Sequence, residues 1–160
     1  MLLNQDFFDI STMSWGGLTY GDPDVEPFYL PPDIDNTTLG STVREALRRS
    51  KKISTEEFMK LYKSGIVQQK GKEQEKAIMK KYGYKTKKAM WQMMDSCNVT
   101  AYDDGQIEIK PLHQNSLTGY SGISNDGPEI INISSSVSDE ELGAAIRKGF
   151  KWCTSIYGRI

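Results

Sequence analysis

Two segments of this sequence carry the same pattern: residues 33–50, DIDNTTLGSTVREALRRS, and residues 136–153, SVSDEELGAAIRKGFKWC. A shift of 103 positions (142 − 39) places Leu39-Gly40 on Leu142-Gly143. A pattern that recurs in this way is typical of a duplicated structural unit. We therefore predict two helices that pack as equivalent elements about a shared core. The simpler alternative is that any two amphipathic helices with polar caps look alike.

Each segment opens with residues that cap a helix. Asp35 or Asn36 in the first segment, and Ser138 in the second, can accept hydrogen bonds from free backbone N–H groups. Ser138 and Glu141 complete a capping box. The apolar residues that follow recur at helical spacing. They are Leu39, Val43, Ala46 and Leu47 in one copy and Leu142, Ala145, Ile146, Phe150 and Cys153 in the other.

Both predicted helices contain a glycine inside the first turn, Gly40 and Gly143. Glycine in a helix costs roughly 0.5–1 kcal/mol relative to alanine. Because both copies carry this cost, we expect the missing side chain to let another element pack closely, with the two leucine-glycine pairs in similar surroundings.

The composition is that of an ordinary soluble protein, with 38% hydrophobic and 26% charged residues in 160 positions. We expect a single domain over residues 1–160. No apolar run approaches the ~20 residues that span a bilayer, and the first ten residues lack the basic region of a signal peptide. A cytoplasmic protein is the expectation. Cys97 and Cys153, placed at predicted helix ends, are expected to be buried thiols, with a disulfide as the alternative.

Charge is distributed unevenly. Residues 1–43 contain seven acidic residues and no Lys or Arg, whereas residues 44–95 contain fifteen basic and six acidic residues. Such asymmetry bears on partners more than on fold. The acidic segment could meet a basic protein and the basic segment could meet phosphate. Alternatively, the two segments lie against each other.

The remaining periodicity predicts an α+β fold, an antiparallel sheet with helices packed on it, and a similar strand-to-helix unit near each end of the chain. We expect a short strand or an extended lead-in at 2–10, and further helices after Ser54, at 71–81 and at 87–96. A hairpin is predicted at 98–110, turning at Asp104-Gly105, then a loop at 111–127 and a strand at 129–134. The methionines of the 87–96 helix are interpreted as core filling.

Motifs for catalysis are few. His113 is the single histidine, and the Cys and His spacing does not suit zinc. The sequence has neither a phosphate-binding loop nor a dinucleotide fingerprint. An enzyme is therefore the less expected class of protein.

The leucine-glycine helix openings in both halves, the segment Tyr82-Gly-Tyr-Lys-Thr-Lys87 that runs into a helix, and the hairpin after it resemble a known family. This family is the CdiI immunity proteins of bacterial contact-dependent growth inhibition, and the resemblance covers roughly residues 2–155. It implies a small cytoplasmic protein that binds and neutralises the C-terminal toxin domain, often a nuclease, of its cognate CdiA effector. It implies that the protein is not an enzyme and needs no cofactor. We expect neither a membrane nor a nucleic-acid partner.

The lysine-free N-terminal segment is the candidate toxin-binding surface, because nuclease clefts tend to be basic and complementary charge speeds encounter. Aromatic anchors are typical of such interfaces, although the aromatic residues of this segment could instead fill a core edge. The predicted contact residues are Asp6, Asp9, Trp15, Tyr20, Asp22, Asp24 and Glu26.

A nucleic-acid-binding module that uses residues 44–88 is the alternative function. Its basic residues are interspersed with Tyr62, Tyr82 and Tyr84, which could stack on bases. Against this, several of the lysines alternate with glutamates at helix-pair spacing, and the net charge is only −1.

Overall fold

The computed structural model of the protein describes residues 1–123 and 130–158. The helices are α1 Asn36–Arg48, α2 Thr55–Lys63, α3 Ile66–Tyr82, α4 Lys87–Trp91 and α5 Asp139–Lys151. The strands are β1 Leu2–Leu3, β2 Phe8–Ile10, β3 Met13–Trp15, β4 Thr19–Gly21, β5 Phe28–Leu30, β6 Asp95–Ala101, β7 Gln106–Gln114, β8 Tyr120–Gly122, β9 Ile131–Ser134 and β10 Thr154–Ser155.

One sheet forms the centre of the molecule, with strand order β10-β7-β6-β1-β2-β5. Strands β8 and β9 both pair with β7, β9 along its first half and β8 along its end. All of these pairs are antiparallel except β10 with β7. Strands β3 and β4 make a separate hairpin. The α+β class, with one antiparallel sheet and helices packed on it, is confirmed.

Helices cover both faces of the sheet. Leu3 packs with the large core formed by α1, α5 and the sheet, whereas its neighbour Leu2 packs with a second cluster under α3 and α4. Successive residues of a strand point to opposite faces, so the two clusters lie on opposite sides. Met90 and Met94 are buried in the second cluster, which confirms that these methionines fill a core.

The repeated unit is a strand followed by a helix, and it occurs at the predicted shift. Helices α1 and α5 each span 13 residues and begin 103 positions apart (139 − 36). Strand β5 precedes α1 as β9 precedes α5. The caps also match, because Asp35 accepts a hydrogen bond from the Thr38 N–H and Ser138 forms a complete capping box. The two helices pack against each other on the same face of the sheet.

Gly40 and Gly143 lie where the two helices touch. A Cβ atom at Gly40 would come 1.8 Å from the carbonyl oxygen of Asp139, and one at Gly143 would come 2.0 Å from that of Asn36. Real Cβ atoms do not approach a backbone oxygen so closely. Each glycine therefore lets the opening turn of the other helix pack directly on the helix backbone, which confirms that the two pairs share similar surroundings.

Arg44 of α1 forms hydrogen bonds with the segment that leads into α5. Its Nε donates to Asp139 Oδ1 at 2.6 Å, and its Nη1 donates to the Ser135 carbonyl at 2.7 Å. Its Nη2 donates to the Val137 carbonyl. Three donors of one planar guanidinium thus fix three acceptors at the start of the other helix.

Arg147 of α5 makes the same set of bonds in the opposite direction. Its Nε donates to Asn36 Oδ1 at 2.9 Å and its Nη1 to the Pro32 carbonyl at 2.8 Å. Its Nη2 donates to the Ile34 carbonyl. Each of these three acceptors lies 103 positions before its counterpart in the Arg44 set. The openings of α1 and α5 thus make equivalent hydrogen bonds to each other.

Several predicted boundaries are wrong. The helix predicted at 87–96 ends at Trp91, because the chain turns there to bury Met94 and to begin β6 at Asp95. Consequently Cys97 lies in β6 and not at a helix end. Residues 2–10, predicted as a short strand or an extended lead-in, form the two short strands β1 and β2, which pair with each other. The third helix begins at Ile66, five residues before the predicted start.

The loop predicted at 111–127 is also wrong in its described part. Strand β7 continues through Pro111 to Gln114, and β8 follows at Tyr120–Gly122. Pro111 pairs with Cys97, whose own N–H and C=O bond to Met1 on the other side. The missing proline N–H therefore removes no bond from the β6–β7 ladder. Residues 124–127, and residue 129 of the last predicted strand, lie outside the described residues.

We predict that Gly40→Ala lowers the free energy of unfolding by at least about 2 kcal/mol, because the methyl group would overlap a backbone carbonyl that cannot move without separating the helices. Denaturant unfolding measures the change. The matched control is Gly71→Ala in α3, where a Cβ would meet nothing within 4 Å. That control should raise stability by about 0.5–1 kcal/mol. Equal effects of the two substitutions would contradict the close contact.

Candidate functional site

A groove of about 500 Å³ separates the β3–β4 hairpin from β6. The C-terminal half of α1 forms its floor. The lining side chains come from three stretches of chain: 10–15 with Thr19; Val43, Ala46, Leu47, Ser50 and Lys52; and 98–103 with Met1. It combines apolar walls with exposed aromatic side chains, so we treat it as the candidate site.

One wall of the groove is an unpaired strand edge. Strand β1 covers β6 only at Asp95 and Ser96, and the Cys97 N–H donates to the Met1 carbonyl at 3.1 Å. Backbone groups alternate in direction along an antiparallel strand. Val99 and Ala101 therefore direct their N–H and C=O groups to the same side as Cys97. Among the described residues, no strand pairs with this stretch on that side.

The opposite wall is fixed to the linker between α1 and α2. The Trp15 N–H donates to the Lys51 carbonyl at 2.9 Å, and the Ile53 N–H donates to the Trp15 carbonyl at 2.8 Å. The Thr12 hydroxyl donates to the Ala46 carbonyl at 2.9 Å. These bonds hold the hairpin at a set distance from α1, so the groove is preformed.

Exposed apolar side chains border the groove. Trp15 and Tyr102 are each 49% exposed, and Met13 is 46% exposed. Leu18, at the tip of the same hairpin, is 64% exposed. Large apolar side chains grouped around a cavity mark interaction surfaces more often than isolated ones do. The prediction from sequence included Trp15 but missed the other three, since nothing in the pattern separates them from core residues.

Three of the predicted contact residues are buried. Tyr20 and Asp22 are only 5% and 3% exposed, and Asp9 is 8% exposed. Asp22 accepts a hydrogen bond from the Ser14 hydroxyl at 2.6 Å and lies 3.6 Å from Lys51 Nζ. It thereby holds the hairpin together. In this structure these side chains do not reach the surface that an interface would use.

Asp9 has a structural environment of its own. The Ser11 hydroxyl donates to its carboxylate at 2.5 Å. Burial raises the pKa of Asp9, an effect opposed by the Ser11 hydrogen bond and by the nearby Met1 ammonium group. Burial lowers the pKa of the Met1 amine, because in both groups it disfavours the charged form. This amine donates a hydrogen bond to the Cys97 carbonyl at 2.9 Å.

The other acidic residues among the predicted contacts are exposed, and each interacts with a basic or phenolic side chain. Asp24 lies 3.0 Å from Lys51 Nζ, and Glu26 lies 3.0 Å from Lys70 Nζ. Asp6 accepts a hydrogen bond from the Tyr84 hydroxyl. The hydrogen bond to Asp24 raises the pKa of Lys51, and that to Glu26 raises the pKa of Lys70. The acidic and basic segments thus lie partly against each other.

About half of the basic side chains of residues 44–88 are paired with acidic side chains of the same chain. Eight of its fifteen Arg and Lys residues form ion pairs with acidic side chains of this chain. One of these pairs joins Lys52 to Asp103 at 3.8 Å, between two residues that line the groove.

A second depression lies between the openings of α1 and α5 and is lined by charged groups, including Asp33, Asp35, Glu140 and Arg147. It is the outer surface of the Arg147 contact. Within residues 1–123 and 130–158, no set of three His, Cys, Asp or Glu side chains could hold a metal ion. In the same ranges, no helix is long and apolar enough to cross a membrane.

Comparisons with known proteins match most of the chain to one family. Residues 1–153 match the family described as CdiI, the CDI immunity protein. The immunity protein CdiI-YPIII of Yersinia pseudotuberculosis serotype O:3 (strain YPIII) is 28% identical in an alignment 163 residues long, gaps included. The alignment covers 94% of this chain and 92% of that protein.

Two solved structures are similar to the fold. A chain of the CdiA-CT/CdiI toxin and immunity complex from Yersinia pseudotuberculosis superposes with a TM-score of 0.85 at 26% identity, covering 96% of this chain and 94% of that one. A protein of unknown function from Neisseria meningitidis gives a TM-score of 0.86 at 27% identity, covering 95% and 92%. These matches confirm the resemblance drawn from the repeated helix openings. The chain belongs to the CdiI family of contact-dependent inhibition immunity proteins.

Proposed function

We propose that this protein acts in the cytoplasm as the immunity partner of a CdiA effector, binding its C-terminal toxin domain and blocking it. Family membership supports the immunity role. The similarity to a chain from a toxin and immunity complex supports the kind of partner. The protein acts by occupying the toxin and supplies no reaction of its own.

The main support for the proposed toxin-binding site is the unpaired edge of β6 inside the groove. An extended segment of the toxin would add to this edge as a new strand, because Val99 and Ala101 offer unpaired backbone donors and acceptors. Trp15 and Tyr102, on opposite walls, would pack against side chains of that segment as aromatic anchors. The groove at about 500 Å³ has room for side chains of one face of such a strand.

A nuclease toxin is the finer part of the proposal, and surface charge supports it. Asp103 at the groove mouth is fully exposed, and Asp104 follows it in the same turn. Acidic groups here complement the basic surface that a nuclease needs to hold nucleic acid. Peripheral contacts are proposed for the exposed acidic residues of the N-terminal segment, Asp6, Asp24 and Glu26. Asp9, Tyr20 and Asp22 act behind them by fixing the hairpin and the sheet.

The first test is capture of the cognate effector's C-terminal domain by the tagged protein, with growth of toxin-producing cells measured in parallel. We expect a one-to-one complex that survives raised salt, and rescue of growth. Binding to nucleic acid that is lost steeply as salt rises, with neither capture nor rescue, would overturn the immunity role and favour the basic segment as the functional surface.

We predict that Trp15→Ala weakens toxin binding by about thirty-fold, because a buried aromatic anchor is typically worth about 2 kcal/mol. Titration calorimetry with the toxin domain measures the change. The control is Tyr62→Ala, which removes an aromatic side chain of similar exposure, 51%, from outside the groove. That control should stay within about two-fold of the unmodified protein. An equal loss in both variants would argue against the groove.

We predict that Ala101→Pro weakens toxin binding about ten-fold while leaving the fold intact. Proline deletes the N–H that faces the groove, whereas the β6–β7 ladder uses neighbouring residues. Thermal unfolding of the free variant checks the fold, and the same titration measures binding. Unchanged affinity in a folded Ala101→Pro protein would rule out strand addition even if Trp15 proves to be a contact.

A further inference from the structure

The two cysteines of the chain meet in the core. Cys97 Sγ lies 3.5 Å from Cys153 Sγ, and the two residues are 0% and 2% exposed. Cys97 belongs to β6, and Cys153 follows the last turn of α5. The contact joins residues that are 56 positions apart in sequence.

Nothing stands between the two sulfur atoms. Gly149 of α5 faces this contact, because a Cβ there would lie 3.6 Å from Cys97 Sγ and 2.7 Å from Ile109 Cγ2. Cys153 Sγ also approaches the Ser96 carbonyl at 3.1 Å, which turns it toward β6. Bond formation requires the sulfur atoms to approach by roughly 1.5 Å, from 3.5 Å to the usual disulfide length.

We propose that Cys97 and Cys153 form a dithiol oxidation site that reacts with small peroxides and closes to an intramolecular disulfide. This inference is independent of the proposed toxin-binding function, since it concerns the protein alone. Hydrogen bonding to Cys153 and burial raise the pKa of Cys97, so the resting thiol is protected and reacts only when the core opens locally.

The chemistry needs one peroxide for each disulfide. One thiolate attacks a peroxide oxygen, forming an S–O bond and breaking the O–O bond, and the hydroxide that leaves takes up the thiol proton as water. The second thiolate then attacks the sulfur of this sulfenic acid. The S–S bond forms, the S–O bond breaks, and a second water leaves. Two thiols lose two electrons and two protons, and the peroxide accepts them.

The groove supplies a short route to this site. Val99 lines the groove and lies two residues after Cys97, so both side chains point to the same face of the sheet. Met1, which bonds to the Cys97 backbone, also lines the groove. A peroxide is small enough to pass between such side chains during local opening, whereas a bulky disulfide reagent is not.

The disulfide would tie the start of the open β6 edge to the end of α5. Closing a loop between residues 56 positions apart removes conformational entropy from the unfolded chain. For a chain of this length, the melting temperature should rise by roughly 10 °C.

The test exposes the full chain to hydrogen peroxide, followed by intact mass measurement and peptide mapping without reductant. We expect the mass to fall by two hydrogen atoms, a cross-linked peptide pair containing Cys97 and Cys153, and a monomeric protein. The melting temperature should rise and should return to its starting value after reduction. The single variants Cys97→Ala and Cys153→Ala should instead gain oxygen at the remaining cysteine under the same exposure, as located by the peptide map.

Three results would overturn the proposal: oxygen addition at Cys97 or Cys153 without a disulfide in the unmodified protein, disulfides only between molecules, or thiols that remain unreacted. The peptide map of the unmodified protein decides the question by itself if the alanine variants fail to fold.

Discussion

The close backbone contact between the openings of α1 and α5 is the constraint on which the rest of the structure depends. It exists because Gly40 and Gly143 have no side chain, so each helix start can rest on the other helix. Arg44 and Arg147 then lock the same contact from outside with three hydrogen bonds each. Hydrogen bonds from a charged guanidinium are stronger than neutral ones, which suits a contact that must hold two distant segments in register.

The groove follows from this arrangement. The opening turn of α1 is fixed against α5, and the C-terminal half of the same helix carries Val43 and Ala46 to the floor of the groove. The linker after α1 binds the β3–β4 hairpin through backbone hydrogen bonds, and the buried carboxylate of Asp22 stiffens that hairpin. Strand β1 pairs with β6 only at Asp95 and Ser96, so Val99 and Ala101 stay uncovered. A rigid wall and an open edge therefore face each other.

Local signals were sufficient to predict the helix openings, the duplication and the β6–β7 hairpin, because caps, helical spacing and Asp104-Gly105 act within a few residues. The geometry around the candidate site could be predicted only in part. Trp15 borders the groove, but Asp22 is buried, because the neighbouring Lys51 and Ser14 hold its carboxylate and their proximity is set by the fold. The open edge depends on how far β1 runs along β6, and pairing between distant strands leaves no trace in either segment alone.

The pairing of α1 with α5 also determines when the native core can form during synthesis. The residues that clasp one another are 91 to 115 positions apart, so α1 emerges from the ribosome long before its partner exists. Closing such a long loop costs entropy before any contact repays it, and contacts of this range slow folding. Until α5 has been made, the apolar face of α1 can bury itself only against transient neighbours. The chain must therefore complete its folding after most of it has been translated, a stage at which chaperones would have access to that face.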